Sequence, residues 1–232
     1  MQHRPIRGKF LTLIAVCLVL LFFSTCRKDP ALGPFRIALT FDDGPDSVYT
    51  VRILDILKEK NVKATFFVTG HHAQLYPHVM KRIHDEGHQL GNHTFTHLYL
   101  PGQPAATLIR EADSTQHIIN NYEIEMPRLF RAPYGFITDD QKLLLKSHGY
   151  RVVAWNIDPR DYDQQLTPTP NDIADRVLLM RKNNGIVLMH SADYMDAQSR
   201  ENTVLALPRI IDEFRSKYNY QFVTVDQIPD LQ

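Results

Sequence analysis

RIALTFDDGP, residues 36–45, is an apolar run that ends in two carboxylates and a Gly-Pro turn. Short apolar runs bounded by turn residues are typical of buried strands. The same pattern recurs along the chain and predicts seven strands in all, at residues 36–41, 64–69, 88–92, 128–131, 151–157, 185–190 and 221–225. Amphipathic stretches that predict helices separate them, around Ile53–Leu57, from Pro77 to near Gly87, and near residues 105–121, 139–148, 171–183 and 200–217.

Alternating strands and helices imply parallel strands joined by right-handed crossovers. The sequence therefore predicts one α/β domain, either an open doubly wound sheet or a barrel of the β/α type, and periodicity does not choose between the two. Both architectures place functional residues beyond the carboxyl ends of the strands. Polar side chains at those ends are therefore the candidates for function.

Five of the seven predicted strands end in, or lead directly into, ionisable residues. The five segments are TFDDGP at 40–45, NHTFTH at 92–97, RAPYG at 131–135, WNIDPRDY at 155–162 and LMH at 188–190. A single carboxylate or histidine in a loop is usually only solvated. Their joint occurrence at one rim of the fold indicates a site.

His93 and His97 are four residues apart, a spacing that places both imidazoles on one side of a helical turn. One carboxylate from the adjacent pair Asp42 and Asp43 completes a set of two histidines and one carboxylate. Such a set leaves positions open for water and substrate, and it suits catalytic Zn²⁺ or non-haem iron. The second carboxylate is then free to take a proton from a water molecule. Two histidines that only pack against the fold are the structural alternative.

Two further pairs at the same rim suggest acid–base chemistry. Arg131 is suited to keep the free carboxylate ionised through a bidentate contact. Asp161 is suited to accept a ring proton of His190, which fixes the tautomer, raises the histidine pKa and makes it a general acid. Structural salt bridges are the alternatives for both pairs.

In order along the chain, the five segments resemble the motifs of the NodB-homology domain of polysaccharide deacetylases, carbohydrate esterase family 4. The resemblance runs from about Arg36 to Val225, and we assign residues 36–228 to the domain. It implies a distorted (β/α)7 barrel and metal-dependent removal of acetyl groups from N-acetylglucosamine polymers such as peptidoglycan, chitin or poly-N-acetylglucosamine. The expected cofactor is a divalent metal, Zn²⁺ first and then Co²⁺, Ni²⁺ or Mn²⁺.

The resemblance also implies a role for each site residue. Asp42 is the expected catalytic base, positioned by Arg131, and His190 is the expected acid, with Asp161 as its partner. The expected metal ligands are Asp43, His93 and His97. The Tyr134 N–H is the expected donor to the oxyanion, and the expected substrate pocket consists of Pro133, Tyr134, Trp155 and Leu188. Two positions depart from the family pattern. Position 162 is tyrosine where tryptophan is usual, and His190 is followed by Ser191 rather than by the aspartate often found there.

Other functions are compatible with parts of the pattern. An O-acetyl xylan esterase, or another C–N hydrolase of the same superfamily, would use the same groups on a different bond. A non-catalytic glycan-binding lipoprotein would need aromatic platforms rather than an acid, a base and a metal set. An iron oxygenase explains neither Arg131 nor His190.

The N-terminus predicts export. Arg4, Arg7 and Lys9 precede an apolar run that extends to Phe23, which is the profile of a signal peptide. The segment up to Cys26 resembles a lipoprotein box, so we expect residues 1–25 to be removed, Cys26 to carry lipid and residues 26–35 to form a tether. A plain signal peptide or an uncleaved signal anchor are the alternatives. The expected location is the bacterial cell envelope, anchored to a membrane.

Composition limits the partners. Lys+Arg and Asp+Glu each total 26, and no block of basic residues is present, so nucleic acid is not an expected partner. Both cysteines, Cys17 and Cys26, precede the domain, so any metal within it must be held by histidine and carboxylate. The predicted partners are a polysaccharide substrate and, through the lipid, a membrane. We expect a monomer.

Overall fold

In the computed structural model, seven strands alternate with helices over the residues it describes, 34–122, 128–195 and 197–229. The strands are β1 (Phe35–Asp42), β2 (Thr65–Val68), β3 (Gln89–Asn92), β4 (Arg128–Phe130), β5 (Tyr150–Val152), β6 (Gly185–His190) and β7 (Tyr220–Phe222). The helices are α1 (Tyr49–Glu59), α2 (Gly70–Leu75), α3 (Pro77–Asp85), α4 (Ala105–Ile119), α5 (Asp139–Ser147), α6 (Pro170–Leu179) and α7 (Glu201–Lys217). The predicted signal peptide, Cys26 and residues 26–33 of the predicted tether lie outside the described residues.

All strand pairs in the sheet are parallel, in the order β5-β4-β3-β2-β1-β6, and β7 pairs with Phe35–Ile37 at the start of β1. After β5 the chain returns to the far edge of the sheet, where Ile157 forms an isolated bridge with Val187 of β6. The sheet is therefore a partly open barrel. This confirms the distorted (β/α)7 barrel and decides against the open doubly wound sheet. None of the helices in the described part of the chain is long and apolar enough to cross a membrane.

The run predicted as one strand over residues 151–157 divides its hydrogen bonds between β4 and β6, which lie on opposite sides of the gap in the barrel. The Val153 N–H donates to β4, whereas the N–H groups of Asn156 and Ile157 both donate to the Ile186 carbonyl in β6. An apolar run shows that a segment is buried but not which strand it pairs with. The regular part of β5 is therefore shorter than predicted, and the rest of the run spans the gap in the barrel.

Helix α2 is an element that the sequence pattern missed. Its six residues are too few to show a periodic apolar face. Contacts with the loop after β3 fix its start, because the N–H groups of Gly70 and His71 donate to the carbonyls of Thr94 and Phe95. A Cβ atom at Gly70 would lie 2.3 Å from the Phe95 ring. Glycine therefore permits the close approach between α2 and this loop.

Strand β1 turns one face to the helices and the other to the barrel interior. The residues that pack towards the helices are Ile37, Leu39 and Phe41. Ala38 belongs to a separate cluster that includes Phe67 and Ile186. Because side chains alternate along a strand, Thr40 and Asp42 follow Ala38 on the interior face. That face of β1 thus changes from apolar to polar towards the carboxyl rim.

Gly91 of β3 makes room for the ring of Phe67, the residue opposite it in β2. A Cβ atom on Gly91 would lie 2.5 Å from Phe67 Cδ1. The Phe67 ring in turn supports Arg131, whose guanidinium carbon lies 4.0 Å from the ring centre. The absence of a side chain at position 91 therefore helps to place the arginine.

We expect Gly91→Ala to lower the free energy of unfolding by about 1–3 kcal/mol, because the added methyl group overpacks a buried ring. Urea denaturation measures the loss. Phe67→Leu removes the ring that the methyl group meets. The double variant should therefore lose less than the sum of the two single losses. Additive losses would show that this contact is not the cause.

Candidate active site

Arg131 and Asp42 form a buried ion pair at the carboxyl end of β1. Arg131 Nη1 donates to Asp42 Oδ1 at 2.7 Å and to Thr40 Oγ1 at 2.7 Å. Burial lowers the pKa of Arg131, while the charge of Asp42 acts in the opposite direction. Arginine nevertheless stays protonated in proteins. The guanidinium therefore holds Oδ1 of Asp42 in place. The other oxygen, Oδ2, lies 3.8 Å from His93 Nε2.

Asp43 reaches the same site as Asp42 because its backbone leaves the extended conformation. In a strand the two neighbours would face opposite sides, but Asp43 has a φ of +73°, in the left-handed region that non-glycine residues seldom adopt. Its carbonyl oxygen accepts hydrogen bonds from Thr69 Oγ1 at 3.2 Å and from His72 Nδ1 at 2.9 Å. These contacts help to hold a conformation that brings adjacent carboxylates together.

Asp43, His93 and His97 are buried, and one side-chain ligand atom of each lies within 4.8 Å of the other two. Asp43 Oδ1 lies 3.2 Å from His97 Nε2 and 3.5 Å from His93 Nε2. Burial by itself raises the pKa of Asp43, but contacts with His93 and His97 outweigh it and hold the pKa well below its usual range. The three residues thus form a compact set with an ionised carboxylate.

These residues fit a divalent cation. Asp43 Oδ1 is buried without a hydrogen-bond partner among the described residues. Ligand atoms held ~2.0–2.2 Å from a tetrahedral zinc ion lie roughly 3.3–3.6 Å apart, close to the distances found here. His93 Nδ1 donates to the Arg131 carbonyl at 2.8 Å, which leaves Nε2 as the ligand atom. Burial lowers the pKa of His97, although Asp43 acts against it, so the neutral, ligating imidazole is favoured.

The prediction of a helical turn between His93 and His97 is wrong. Both residues lie in an irregular loop after β3, in which Thr94 and His97 have φ values of +65° and +57°. The two imidazoles still approach each other, with ring centres 5.0 Å apart. The carboxylate of Glu111, on α4, accepts hydrogen bonds from two N–H groups of the loop, those of Phe95 and Thr96. Sequence reasoning missed this contribution of Glu111, because no local pattern links it to the loop.

His190 ends β6 and forms an ion pair with Asp161. His190 Nδ1 lies 2.8 Å from Asp161 Oδ1, and the His190 N–H donates to Asp161 Oδ2 at 2.8 Å. Thr203 Oγ1 donates to the same Oδ2 at 2.8 Å. Burial lowers the pKa of His190, but the charge and hydrogen bond of Asp161 outweigh it and raise the pKa to about 9. The imidazole is therefore protonated at neutral pH.

The ligand set opens onto one cavity of about 490 Å³, together with one member of each ion pair, Asp42 and His190. Its lining includes Asp42, Asp43, His93, His97, Ala132, Tyr134, Phe136, Trp155, Tyr162, Leu188, His190, Asp193, Tyr194, Gln198 and Arg200. Three of the four predicted substrate-pocket residues, Tyr134, Trp155 and Leu188, are among them. Pro133 does not line the cavity; it is buried at the start of the 3₁₀ turn that presents Tyr134.

The segment after β6 contributes residues that sequence reasoning missed. The ring of Tyr194 stacks on the ring of His97, with centres 4.0 Å apart and an angle of 16° between planes. The Tyr134 hydroxyl donates to the Tyr194 hydroxyl at 3.0 Å. Arg200 is buried against the same site. The only sequence signal was the departure from the family pattern after His190, and it did not indicate these contacts.

Tyr162, the other departure from the family pattern, keeps an aromatic ring at the cavity wall. Its ring centre lies 5.3 Å from that of His190, and its hydroxyl donates to Asp158 Oδ2 at 3.2 Å. The tyrosine thus supplies both an apolar face and a polar contact beside the imidazole.

Comparison with known proteins now identifies the family. The model of the polysaccharide deacetylase family matches residues 30–153 of this chain. The chain belongs to the polysaccharide deacetylase family. A peptidoglycan-N-acetylglucosamine deacetylase of Bacillus cereus is 37% identical over 194 residues, which cover 83% of this chain and 87% of the relative. The peptidoglycan-N-acetylmuramic acid deacetylase PdaC of Bacillus subtilis is 33% identical over 207 residues, 88% of this chain and 41% of that protein.

The fold agrees with solved structures of the family. The crystal structure of the Bc1960 peptidoglycan N-acetylglucosamine deacetylase, in complex with a naphthalenyl N-oxidanyl-benzamide, superposes with a TM-score of 0.77 at 34% identity. The match covers 84% of this chain and 90% of that one. The resemblance to the NodB-homology domain of polysaccharide deacetylases is thus confirmed, together with the hydrolase class.

The His190–Asp161 pair predicts a specific pH dependence in the metal-free protein. Because folding raises the His190 pKa from 6.5 to about 9, the pair stabilises the fold fully below about pH 6.5 and ceases to do so as the pH rises through about 9. We expect a His190 imidazole resonance to titrate near pH 9 in an NMR titration. Asp161→Asn should lower that pKa, because burial continues to act on the imidazole while the charge of Asp161 is lost.

Asp158→Asn is the matched control, because Asp158 lies on the same loop and contacts Tyr162 rather than His190. It should leave the His190 titration near pH 9. A His190 pKa near 6.5 in the unmodified protein would contradict the assignment of this pair.

Proposed function

We propose that this deacetylase is a metal-dependent enzyme that removes the N-acetyl group from N-acetylhexosamine residues of peptidoglycan. The observation that carries the proposal is the convergence of three groups on one cavity: the Asp43–His93–His97 set, the Arg131-bound carboxylate of Asp42 and the protonated imidazole of His190. The names of the relatives from Bacillus cereus and Bacillus subtilis support peptidoglycan as the substrate.

Asp43, His93 and His97 would hold the cation, with Zn²⁺ as the first candidate and Co²⁺, Ni²⁺ or Mn²⁺ as alternatives. When bound, a divalent ion supplies Lewis-acid polarisation of the acetyl carbonyl and lowers the pKa of a water molecule towards about 7. The histidine and carboxylate donors, without cysteine, suit these borderline metals.

Asp42 is placed to act as the general base. Arg131 holds its Oδ1, so Oδ2 is the oxygen that faces the ligand set. Because the guanidinium cannot give up its proton, it acts only by charge and position. Asp42 therefore takes a proton from the attacking water as the water adds to the acetyl carbonyl. The Tyr134 N–H is the proposed donor to the oxyanion that forms, a contribution of about 3–4 kcal/mol for such a donor.

His190 is placed to act as the general acid. Asp161 occupies its Nδ1, so Nε2–H is the proton that remains for the substrate. The C–N bond breaks as this proton passes to the amide nitrogen, and the sugar leaves as a neutral amine. A histidine pKa raised to about 9 keeps the acid loaded at neutral pH. This favours an amide substrate over an acetyl ester, whose alcohol needs less assistance to leave.

We also propose that Cys26 carries the lipid that anchors the enzyme to a membrane of the cell envelope. The support is the basic, then apolar, then cysteine-containing pattern of residues 1–26. A radiolabelled fatty acid supplied to the cells should be incorporated into the protein, and Cys26→Ser should abolish this labelling without change in the turnover of the purified enzyme. Unchanged labelling of Cys26→Ser would contradict lipid attachment at this residue.

The proposed activity is tested by acetate release from peptidoglycan, chitin oligomers, poly-N-acetylglucosamine and acetylxylan, each with and without a chelator. We expect release from peptidoglycan, its loss with chelator and its return with added Zn²⁺. Mass spectrometry of the muropeptides then shows whether glucosamine or muramic acid has lost the acetyl group. Release from acetylxylan alone would instead establish an esterase.

Substitution of the reacting groups should reduce acetate release by about 10²-fold or more, as expected for loss of a base, an acid or a ligand. The variants are Asp42→Asn, His190→Ala and His93→Ala, and His84→Ala, at an exposed helix position, is the control that should retain full activity. His190→Ala should lose less activity on an activated phenyl acetate, because a phenolate leaves without protonation. Near-normal turnover of peptidoglycan by any of the three would refute the role of that residue.

A further inference from the structure

Arg200, the residue before α7, is a buried arginine outside the five sequence motifs. Only 3% of its surface is exposed. Its Nε donates to the Ala192 carbonyl at 2.8 Å, and its Nη2 lies 3.7 Å from Asp193 Oδ1 and 4.0 Å from Asp43 Oδ2. A buried guanidinium is unfavourable unless anionic or hydrogen-bonding groups surround it. Its two nearest carboxylates are those of Asp193 and of Asp43 in the ligand set.

The two oxygens of Asp43 face different partners. Oδ1 faces the imidazoles of His93 and His97 at 3.5 and 3.2 Å, whereas Oδ2 faces Arg200. A carboxylate can rotate about its bond to the β-carbon, which would tilt both of its oxygens away from their present partners. A fixed positive charge on the Oδ2 side opposes this rotation, and so keeps Oδ1 directed at the imidazoles.

We propose that Arg200 is a positioning residue that orients the Asp43 carboxylate for metal binding. The inference rests on the metal-dependent function proposed above and adds to it a residue outside the ligand set. Charges around the cavity support this role. Arg131 donates to Asp42, and His190 is paired with Asp161 although its charge also acts on Asp43. Among the described residues, Arg200 is the arginine whose guanidinium lies within 4.0 Å of Asp43 Oδ2.

Asp193 fixes Arg200 and the segment between them. Its Oδ2 accepts hydrogen bonds from the N–H groups of Ala197 at 2.7 Å and Gln198 at 2.9 Å, while its Oδ1 faces Arg200. Asp193 thereby links Ala197 and Gln198 to Arg200. The same segment carries Tyr194, which stacks on the ligand His97. Arg200 therefore restrains two members of the ligand set, one through charge and one through the loop.

Metal affinity of the purified full chain tests the proposal. Zinc is removed with a chelator, and the dissociation constant for Zn²⁺ is then measured by competition with a chromophoric chelator. Loss of a group that orients a ligand typically weakens metal binding 10–100-fold. We expect that loss for Arg200→Met, and a smaller loss for Arg200→Lys, which keeps the charge on a different headgroup.

Arg52→Met is the matched control. Arg52 forms an ion pair with Glu201, the residue next to Arg200, but contacts no part of the cavity. It should therefore retain the Zn²⁺ affinity of the unmodified protein. Melting temperatures by circular dichroism accompany every measurement, because a residue that served only folding would lower the melting temperature and leave the affinity of the folded protein unchanged.

The outcomes separate the two proposals. If the unmodified protein binds no Zn²⁺, the metal-dependent function fails first. If it binds Zn²⁺ and folded Arg200→Met binds within twofold of it, the role of Arg200 is overturned while the function stands. If Arg200→Met is unfolded at the assay temperature, Arg200→Lys decides: an affinity at least threefold weaker supports the proposal, and an unchanged affinity overturns it.

Discussion

The left-handed backbone of Asp43 is the constraint on which the site depends. Extended geometry would send the side chains of Asp42 and Asp43 to opposite faces of β1, one into the barrel and one towards the helices. A φ of +73° at Asp43 brings the second carboxylate back to the rim beside the first. Thr69 and His72 bind the carbonyl of this residue, so helix α2 and the residue that joins it to β2 help to maintain its conformation. Two adjacent acids thereby reach one cavity with separate partners.

The barrel supplies those partners from strands far apart in sequence. Parallel strands bring their carboxyl ends to one rim, which places Arg131 beside Asp42 and the loop of His93 and His97 beside Asp43. The incomplete closure of the barrel affects the same region. The chain after β5 spans the gap and reaches β6 through Ile157, and the next few residues of that loop deliver Asp161 to His190. The irregular closure of the fold thus positions the His190–Asp161 pair.

The sequence predicted the seven strands, the parallel α/β class and the residues that meet at the rim, because apolar periodicity and strand-end polarity are local signals. It did not predict how the run after β5 divides between β4 and β6, since pairing depends on neighbours distant in the chain. The helical turn expected at His93 failed because spacing alone does not reveal backbone conformation, and here contacts with Glu111 fix a loop instead. Arg200 was missed because an isolated arginine is usually solvated, and only the fold shows its burial.

The two ion pairs of the cavity look alike but have opposite chemical consequences. Each places a cation against a buried aspartate, Arg131 with Asp42 and His190 with Asp161. Arginine cannot release its proton near neutral pH, so Arg131 can act on Asp42 only through its charge and its position. Histidine can release its proton, and the aspartate beside it raises its pKa so that the imidazole is protonated at neutral pH. In the proposed mechanism, the identity of the cation, rather than the geometry of the pair, therefore decides which pair supplies the base and which supplies the acid.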